Sequence, residues 1–308
     1  MARNVTVGAA QMGPIARNES RQVVVSRLLE LLRQAHGRGC DLVVFPELTL
    51  TTFFPRWWME DPAEIESFFE REMPGPAVQP LFDEAKRLEI GFSFGYGELA
   101  DEGGKTHRYN TSILVDKSGA IVGKYRKIHL PGHADHRPEW PFQHLEKYFF
   151  EVGDLGFGVW DAFGGKMGMC ICNDRRWPET YRVMGLKGVE LVMLGYNTPT
   201  HIPWEPIYDD LTGFHNHLSM QSGAYQNSTW VVGVAKAGME EGCNLLAGTC
   251  IIAPSGEIVA LTATKDDELI SHVCDLDLAQ YNKKAMFDFA QHRRPEHYGI
   301  ITERAGPV

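Results

Sequence analysis

Hydrophobic and polar positions alternate with two different periods along the first part of the chain, which predicts a strand, a helix and a second strand. Val5 to Ala10 alternates small and apolar residues, as in a strand. From Ser20 to Gly37 apolar residues recur every three or four positions, which predicts an amphipathic helix ended by Gly37 and Gly39. Asp41 to Phe45 is a short apolar run followed by proline and an acid, which is typical of a buried strand.

The same two periods predict further elements throughout the chain. Helices are predicted at 63–70, 78–88, 178–188 and 205–226. Strands are predicted at 90–99, 109–116, 120–125, 166–172, 189–194, 229–235, 249–253, 257–261 and 269–275. Strands that alternate with helices, pair as hairpins and then alternate again favour α/β layers with helices outside the sheets. The blocks 5–45 and 167–194 share one order and are candidates for equivalent halves.

Composition narrows the class of protein. Length and ordinary proportions, 308 residues with 44% hydrophobic and 23% charged, fit one globular domain over 1–308. A net charge of −10 argues against nucleic acid and anionic membranes as partners, because phosphate binding needs basic residues. The first residues, MARNVTVGAAQM, lack the basic and apolar regions typical of a secretory signal, so we expect none, and the apolar runs are too short to span a bilayer. Six cysteines in a chain of this length predict free thiols and a cytoplasmic location.

Three polar side chains each close an apolar strand. Glu47 follows LVVFP, Lys127 lies in VGKYRKIHLP, and Cys172 lies in KMGMCICNDRRWPET. A residue on the turn between a strand and a helix projects into a crevice where ligands bind, and backbone N–H groups after it can bind an oxyanion. Nearby arginines favour a thiolate. Structural interpretations also exist: Glu47 as a strand-end cap, Lys127 on a solvated strand edge, and cysteine as a small buried hydrophobe.

Together, the three segments resemble a known family. FPE around Glu47, YRKIHL around Lys127 and CNDRRWPE around Cys172 are similar, in this order, to the signatures of the nitrilase superfamily of carbon–nitrogen hydrolases. The resemblance covers roughly residues 4–300. TTFFPRW, PFQHLEK, CNDRRWPETYRVMGLKG and GYNTPTH resemble one branch more closely, the N-carbamoyl-D-amino acid amidohydrolases, or D-carbamoylases.

The resemblance implies a four-layer α-β-β-α sandwich without cofactor or metal. It also implies a homodimer or homotetramer that associates through its outer helices and a C-terminal tail, 279–308. The implied reaction hydrolyses N-carbamoyl-D-amino acids to D-amino acid, carbon dioxide and ammonia through a carbamoyl thioester on Cys172. Glu47 and Lys127 complete the implied triad. Glu146, in PFQHLEK, resembles a second glutamate near that triad, and we expect it to orient the site rather than to exchange protons.

The substrate-binding residues are predicted around the same turn. We expect the backbone N–H of Asn173 to join Lys127 in binding the oxyanion. Arginine binds carboxylate through two parallel hydrogen bonds, so Arg175 and Arg176 are candidates for the substrate carboxylate. His144, Asn197 and Thr198 resemble the remaining polar wall of the pocket, and His129 is expected to hydrogen-bond near the triad. For each of them the alternative is an ordinary buried polar residue. An ordinary Asn-Thr-Pro turn explains Asn197 and Thr198 equally well.

The segment HIPWEPIYDD departs from the branch, because Ile202 and Trp204 stand where more polar residues are usual. We expect this segment at the pocket mouth, where it would favour bulky or aromatic substrate side chains. The preference for D-enantiomers rests on the resemblance alone.

Several rival interpretations remain open at this point. A β-ureidopropionase, an aliphatic amidase or a nitrilase would share the triad. A thiol protease would pair Cys172 with one of 12 histidines, none of which lies in a recognisable motif. A zinc or redox module would use Cys170 and Cys172 with His129, His133 or His136. Cys243 and Cys250 lack the spacing of the second cysteine pair that such a site needs. A catalytically inactive binding partner is the last alternative.

Overall fold

The computed structural model describes residues 2–203 and 205–307, and its elements are numbered here in chain order. The strands are β1 (Asn4–Gln11), β2 (Leu42–Val44), β3 (Phe69–Glu70), β4 (Gly91–Glu102), β5 (Lys105–Val115), β6 (Ile121–Arg126), β7 (Val159–Ala162), β8 (Gly165–Ile171), β9 (Leu191–Tyr196), β10 (Trp230–Ala235), β11 (Ala237–Glu240), β12 (Cys243–Leu246), β13 (Cys250–Ile252), β14 (Ile258–Leu261) and β15 (Glu268–Asp275). The helices are α1 (Arg21–Gly37), α2 (Pro62–Glu66), α3 (Gln79–Leu88), α4 (Glu146–Phe149), α5 (Pro178–Leu186), α6 (Thr212–Asn227), α7 (Leu276–Lys283), α8 (Phe289–His292) and α9 (Gly299–Glu303).

Two large sheets have matching strand orders. The first runs β15-β1-β2-β4-β5-β6, with β3 also paired to β4, and the second runs β7-β8-β9-β10-β13-β14. In each sheet three central strands are parallel: β1, β2 and β4 in the first, and β8, β9 and β10 in the second. Antiparallel strands flank each trio. The blocks 5–45 and 167–194 therefore occupy equivalent places, as β1-α1-β2 and β8-α5-β9.

The sheets pack face to face, with helices on both outer surfaces. Val7 and Val44 point inward and join a core shared with Met169 of the second sheet. The alternate residues of the first sheet, such as Val43, point outward and pack against α1 and α3. On the opposite surface α5 and α6 cover the second sheet, where Met184 belongs to the core. The predicted four-layer α-β-β-α sandwich is confirmed.

Some local predictions were wrong. The predicted helix over 63–70 ends at Glu66, and Phe69–Glu70 forms β3 against the long strand β4. The predicted helix over 205–226 begins with a 3-10 turn at Pro206–Leu211, and α6 starts only at Thr212. The hairpin β11–β12 was not predicted. The polar tail 279–308 carries α8, α9 and most of α7.

Glycines allow the loop after β2 to enter the space between the sheets. A Cβ on Gly195 of β9 would lie 2.3 Å from the backbone nitrogen of Glu47 and 2.5 Å from the carbonyl carbon of Pro46. Gly95 of β4 approaches from the other side, where a Cβ would lie 2.9 Å from the Glu47 Cα atom. These distances leave no room for a side chain at Gly195, so the position of Glu47 depends on this glycine.

We expect Gly195→Ala to lower the free energy of unfolding by about 1–3 kcal/mol, as overpacking of a core does. The variant should also lose activity because the Glu47 backbone must move. Gly37→Ala is the matched control, since a Cβ there meets nothing within 4 Å. Urea denaturation measures both variants. Equal unfolding free energies for the two would contradict the close approach.

Candidate active site

The three predicted triad residues lie together at the ends of strands from both sheets. Glu47 follows β2, Lys127 follows β6, and Cys172 follows β8. Their side chains are almost completely buried, with Cys172 only 3% exposed. Because β2 and β8 belong to the parallel trios of the two sheets, their carboxyl ends open into one crevice.

Lys127 is bound by two carboxylates. Its Nζ atom lies 2.8 Å from Oε1 of Glu47 and 2.5 Å from Oε2 of Glu146. Burial opposes the charge on Lys127, but Glu146 and Glu47 outweigh burial and raise its pKa. Burial likewise opposes ionisation of Glu146, whereas Lys127 and His144 lower its pKa. His144 approaches Oε1 of Glu146 with Nε2 at 3.0 Å. The predicted orienting position of Glu146 is consistent with these contacts.

Glu47 is held by amide groups as well as by Lys127. Its Oε1 atom accepts a hydrogen bond from Nδ2 of Asn110 at 2.8 Å. Its Oε2 atom accepts from the backbone N–H of Asn197 at 3.0 Å, and Nδ2 of Asn197 donates to the Glu47 carbonyl at 2.8 Å. Asn110 was not predicted, because it lies among other polar residues of β5 and no sequence signal marks it as the one that reaches the site. Asn197 fixes both the backbone and the carboxylate of Glu47.

Cys172 begins a 3-10 turn at Cys172–Arg176 and has a left-handed backbone, with φ of +46°. For a residue other than glycine this conformation costs about 1–2 kcal/mol. The cost is sustained by Asp174, whose buried carboxylate accepts hydrogen bonds from Tyr125 Oη at 2.7 Å and from the Ile171 N–H at 3.0 Å. The backbone N–H of Asn173 lies at the start of this turn, where N–H groups have no partner within the turn.

His129 is a further partner of Asp174. Its backbone N–H and Nδ1 lie 3.0 and 2.8 Å from Oδ1 of Asp174. Its ring stacks on Trp177, with centroids 5.1 Å apart. The structure therefore places His129 behind the nucleophile turn, where it orders the turn, and away from the residues that line the pocket.

The electrostatic surroundings keep Cys172 as a thiol at rest. Burial raises its pKa and Glu47 adds to this effect, while Lys127 and Arg175 lower it without reversing the shift. The expectation that nearby arginines would maintain a thiolate is therefore outweighed by burial and by Glu47. A buried thiol with a raised pKa needs a base before it can attack, and thiolate is the reactive form.

The two arginines after Asp174 have different surroundings. Arg175 is 1% exposed and points inward, with Nη1 2.6 Å from the Cys172 carbonyl oxygen and 3.7 Å from its sulfur, and Nη2 2.8 Å from Oγ1 of Thr198. Arg176 is exposed and lines the pocket, and the neighbouring Arg175 charge lowers its pKa to about 10. Of the two arginines predicted to meet the substrate carboxylate, only Arg176 faces the pocket.

The pocket has a volume of about 360 Å³ and reaches Cys172. Its lining residues are Pro131, Gly132, His144, Cys172, Arg176, Asn197, Thr198, Pro199, Ile202, Glu205, Tyr208, Thr212 and His215. Four predicted binding residues thus line it, and Ile202 lies at the predicted place. Glu205 and Tyr208 belong to the segment 201–210 that was expected at the pocket mouth. Thr212 and His215 were not predicted, because only the packing of α6 against the nucleophile turn brings them there. Trp204 lies outside the described residues.

A metal site, a redox site or a thiol protease would each need a specific set of neighbouring side chains. Among residues 2–203 and 205–307, His, Cys, Asp and Glu side chains form no group of three that could hold a metal ion. All six cysteines are free. The contacts of His129 and His144 are with Asp174 and Glu146, not with Cys172. No helix in the described part of the chain is long and apolar enough to cross a membrane.

A buried thiol, a carboxylate and an ammonium group meet at the end of a pocket, and residues 6–284 match the sequence profile of the carbon-nitrogen hydrolases. The chain belongs to this family. It is 29% identical to an N-carbamoylputrescine amidase from Arabidopsis thaliana, covering 99% of this chain and 97% of the relative. It is 26% identical to a citrullinase from Francisella tularensis, covering 98% and 99%.

Solved structures of a carbon-nitrogen hydrolase and of an amidase have a similar fold. A carbon-nitrogen hydrolase from Helicobacter pylori G27 superposes with a TM-score of 0.82 at 22% identity, covering 98% of this chain and 99% of that one. A mutant of an amidase from Nesterenkonia sp. AN1, with the acetamide moiety of fluoroacetamide added covalently at its active-site cysteine, has a TM-score of 0.71 at 17% identity, covering 96% of this chain and 95% of that one. The protein is therefore a carbon–nitrogen hydrolase of the nitrilase superfamily, and its substrate is a separate question.

We expect iodoacetamide to alkylate Cys172 slowly at neutral pH and faster as the pH rises above the usual thiol range. Because Glu47 raises the pKa of Cys172, Glu47→Gln should move the alkylation profile to lower pH, and Arg175→Met should move it to higher pH. Peptide mass spectrometry follows the reaction at Cys172, with Cys172→Ala identifying the labelled site. An unchanged profile in Glu47→Gln would show that the sulfur does not sense this carboxylate.

Proposed function

We propose that the protein hydrolyses N-carbamoyl-D-amino acids to D-amino acid, carbon dioxide and ammonia. The observation that supports this most directly is the pocket, in which the Cys172 thiol lies beside Glu47 and Lys127 while the Arg176 guanidinium lines the wall. The preference for the D-enantiomer is proposed from the sequence blocks that resemble D-carbamoylases. The names of the relatives, N-carbamoylputrescine amidase and citrullinase, support a ureido group as the reacting part of the substrate.

In the first half of the reaction, Glu47 removes the proton from the Cys172 thiol, and the thiolate attacks the ureido carbonyl carbon. Negative charge develops on the carbonyl oxygen and is stabilised by Lys127 and by the backbone N–H of Asn173. Glu47 then donates its proton to the amino nitrogen of the departing D-amino acid as the carbon–nitrogen bond breaks. A carbamoyl thioester remains on Cys172. Covalent catalysis thus divides one difficult step into two.

In the second half, Glu47 removes a proton from water, and the resulting hydroxide attacks the thioester carbonyl. The carbon–sulfur bond breaks, Cys172 recovers its proton, and the released carbamic acid decomposes to carbon dioxide and ammonia. Lys127 remains charged throughout because two carboxylates raise its pKa, so it binds the developing oxyanion as a fixed cation. Asn110 and Asn197 hold the Glu47 carboxylate in place during these proton transfers.

The binding roles divide along the pocket. Arg176 binds the substrate carboxylate, and His144, Asn197 and Thr198 form the polar wall beside the ureido group. Ile202 and Tyr208 line the outer part, where they favour bulky or aromatic side chains. Arg175 acts on the protein instead, since its hydrogen bonds reach the Cys172 carbonyl and Thr198.

A second candidate substrate is a carbamoyl amine with a cationic end. The carboxylate of Glu205 lines the same pocket as Arg176 and would bind an ammonium group. A carbamoyl diamine such as N-carbamoylputrescine has this chemistry, whereas an N-carbamoyl amino acid brings a carboxylate to Arg176. The two residues therefore separate the candidates.

Wild type should release D-phenylalanine and ammonia from N-carbamoyl-D-phenylalanine, with little turnover of the L-enantiomer. Cys172→Ala should be inactive because no thioester can form. Mass spectrometry of products detects both outcomes. Equal turnover of the enantiomers would refute the D-preference, and activity in Cys172→Ala would refute the mechanism.

Arg176→Gln should raise KM for the carbamoyl amino acid about 10- to 100-fold, the effect of losing a hydrogen bond to a charged group. Glu205→Gln is the matched control on the opposite charge and should leave this KM unchanged. If N-carbamoylputrescine is the substrate, the two variants exchange effects. Steady-state kinetics on both compounds therefore distinguishes the candidates.

We also propose a homodimer or homotetramer that buries the outer helices and the tail. Exposed apolar residues support it: Leu186 on α5, Phe214 and Leu218 on α6, and Ile300 and Ile301 on α9. A cavity of about 580 Å³ lies between α5 and the tail. Sedimentation equilibrium should give a multiple of 34.6 kDa, and the mass of a single chain would exclude this assembly. A cytoplasmic location and the absence of nucleic-acid and membrane partners remain predictions.

A further inference from the structure

A second buried charge cluster lies next to the active site and takes no part in the proposed chemistry. Lys236 and Glu240 are 0% exposed and Arg56 is 4% exposed. Nζ of Lys236 donates to Oε2 of Glu240 at 2.9 Å, and Nη1 of Arg56 donates to the Glu240 carbonyl at 3.0 Å. Burial of such charges is costly, and removal of one partner leaves another charge uncompensated. A cluster of this kind invites a functional explanation.

Glu240 accepts hydrogen bonds from the loop that follows Glu47. The backbone N–H of Phe53 donates to Oε1 of Glu240 at 2.8 Å, and Lys236 reaches the same loop at the Thr51 carbonyl, 2.7 Å away. Oε2 of Glu240 also accepts from the Ile15 N–H at 3.0 Å. The loop 51–56, which includes most of the TTFFPRW block, is thereby fixed to the end of β11.

This loop in turn holds the segment that carries His144 and Glu146. The N–H of Gln143 donates to the Arg56 carbonyl at 3.1 Å, and the N–H of Leu145 donates to the Pro55 carbonyl at 2.7 Å. The edge of the Phe53 ring packs against His144, with centroids 5.5 Å apart. Two backbone hydrogen bonds and one ring contact therefore connect the loop to the arm 143–146.

The hairpin β11–β12 also holds the opposite wall of the pocket. The Leu246 N–H donates to the Thr198 carbonyl at 2.8 Å, and the Thr200 N–H donates to the Asn244 carbonyl at 2.9 Å. Thr198 is the residue that receives Nη2 of Arg175. The hairpin thus contacts one wall of the pocket directly through its backbone and supports the other indirectly, through Glu240 and the loop 51–56.

We propose that Glu240 is a positioning residue that fixes the arm 143–146, and with it the carboxylate of Glu146 beside Lys127, through the loop 51–56. Glu240 lies too far along this chain of contacts to touch the substrate, so it acts through His144 and Glu146. The inference rests on the proposed function only in giving that arm a use in the reaction. The effect of Glu240 on the position of the arm 143–146 is a property of the free enzyme.

Hydrogen exchange tests the geometric part without any substrate. In Glu240→Gln the amides of 143–150 should exchange about tenfold faster, because local opening of the arm becomes easier. Amides of α3, which has no bond to the cluster, should keep their wild-type rates. Glu241→Gln is the matched control, since it makes the same charge change on the neighbouring residue of the turn, whose exposed carboxylate accepts the Arg17 N–H at 2.6 Å.

Kinetics tests the consequence. In Glu240→Gln, kcat for N-carbamoyl-D-phenylalanine should fall about tenfold or more, since small displacements of catalytic groups cost this much, while KM changes little. The same change in a His144→Ala background should have a much smaller effect, because the route through the arm is already broken. Additive effects of the two substitutions would show that Glu240 acts elsewhere.

If Glu240→Gln does not fold, Arg56→Met replaces it, because it removes the bond to the Glu240 carbonyl and the 3.3 Å ion pair with the Glu240 carboxylate but retains the pair with Lys236. Faster exchange in the loop 51–56 and in 143–150, with α3 unchanged, supports the proposal. Unchanged exchange there, or equal acceleration in α3, overturns it. Absence of turnover by wild type would refute the proposed substrate alone, because the exchange result stands without it.

Discussion

The site depends on one buried ammonium group bound by two carboxylates. Lys127 has no access to water, so its charge persists only because Glu47 and Glu146 lie 2.8 and 2.5 Å away. Each carboxylate is in turn buried and needs the ammonium group. Removal of any member leaves a charge in a medium where an isolated ion is very unfavourable. Electrostatic attraction already restricts the positions of these three groups. Asn110, Asn197 and His144 then hold the two carboxylates in that geometry.

The nucleophile follows from the same constraint. Burial and the nearby Glu47 carboxylate raise the pKa of the Cys172 thiol, which therefore stays protonated at rest. Lys127 and Arg175 favour negative charge on the sulfur. The site is thus arranged for charge that appears during the reaction and not for charge at rest, which is how preorganised groups lower a barrier. The left-handed backbone of Cys172, held by Asp174, presents the sulfur to the pocket without requiring movement.

Sequence reasoning found the parts of the site that end apolar strands. Glu47, Lys127 and Cys172 were visible because each interrupts a hydrophobic pattern, and their order matched a family. The different directions of Arg175 and Arg176 were not visible, since the geometry of a short turn decides which guanidinium is buried. The hairpin β11–β12 was missed because its glycine, glutamate and asparagine residues have weak strand preference, and its pairing partner is a distant loop. Glu240 could be found only from its contact with the loop 51–56 in the folded chain.

The two sheets have matching strand orders, so residues that follow corresponding strands stand at related positions of the molecule. Glu47 follows β2 and Asn197 follows β9, which are equivalent strands, so the base and the residue that grips it stand at related positions of an internal pair. Neither half contains a complete site, since Glu47 and Lys127 come from one sheet and Cys172 from the other. Separation of the halves would expose the inner faces of both sheets, so folding and the assembly of the catalytic groups are a single event.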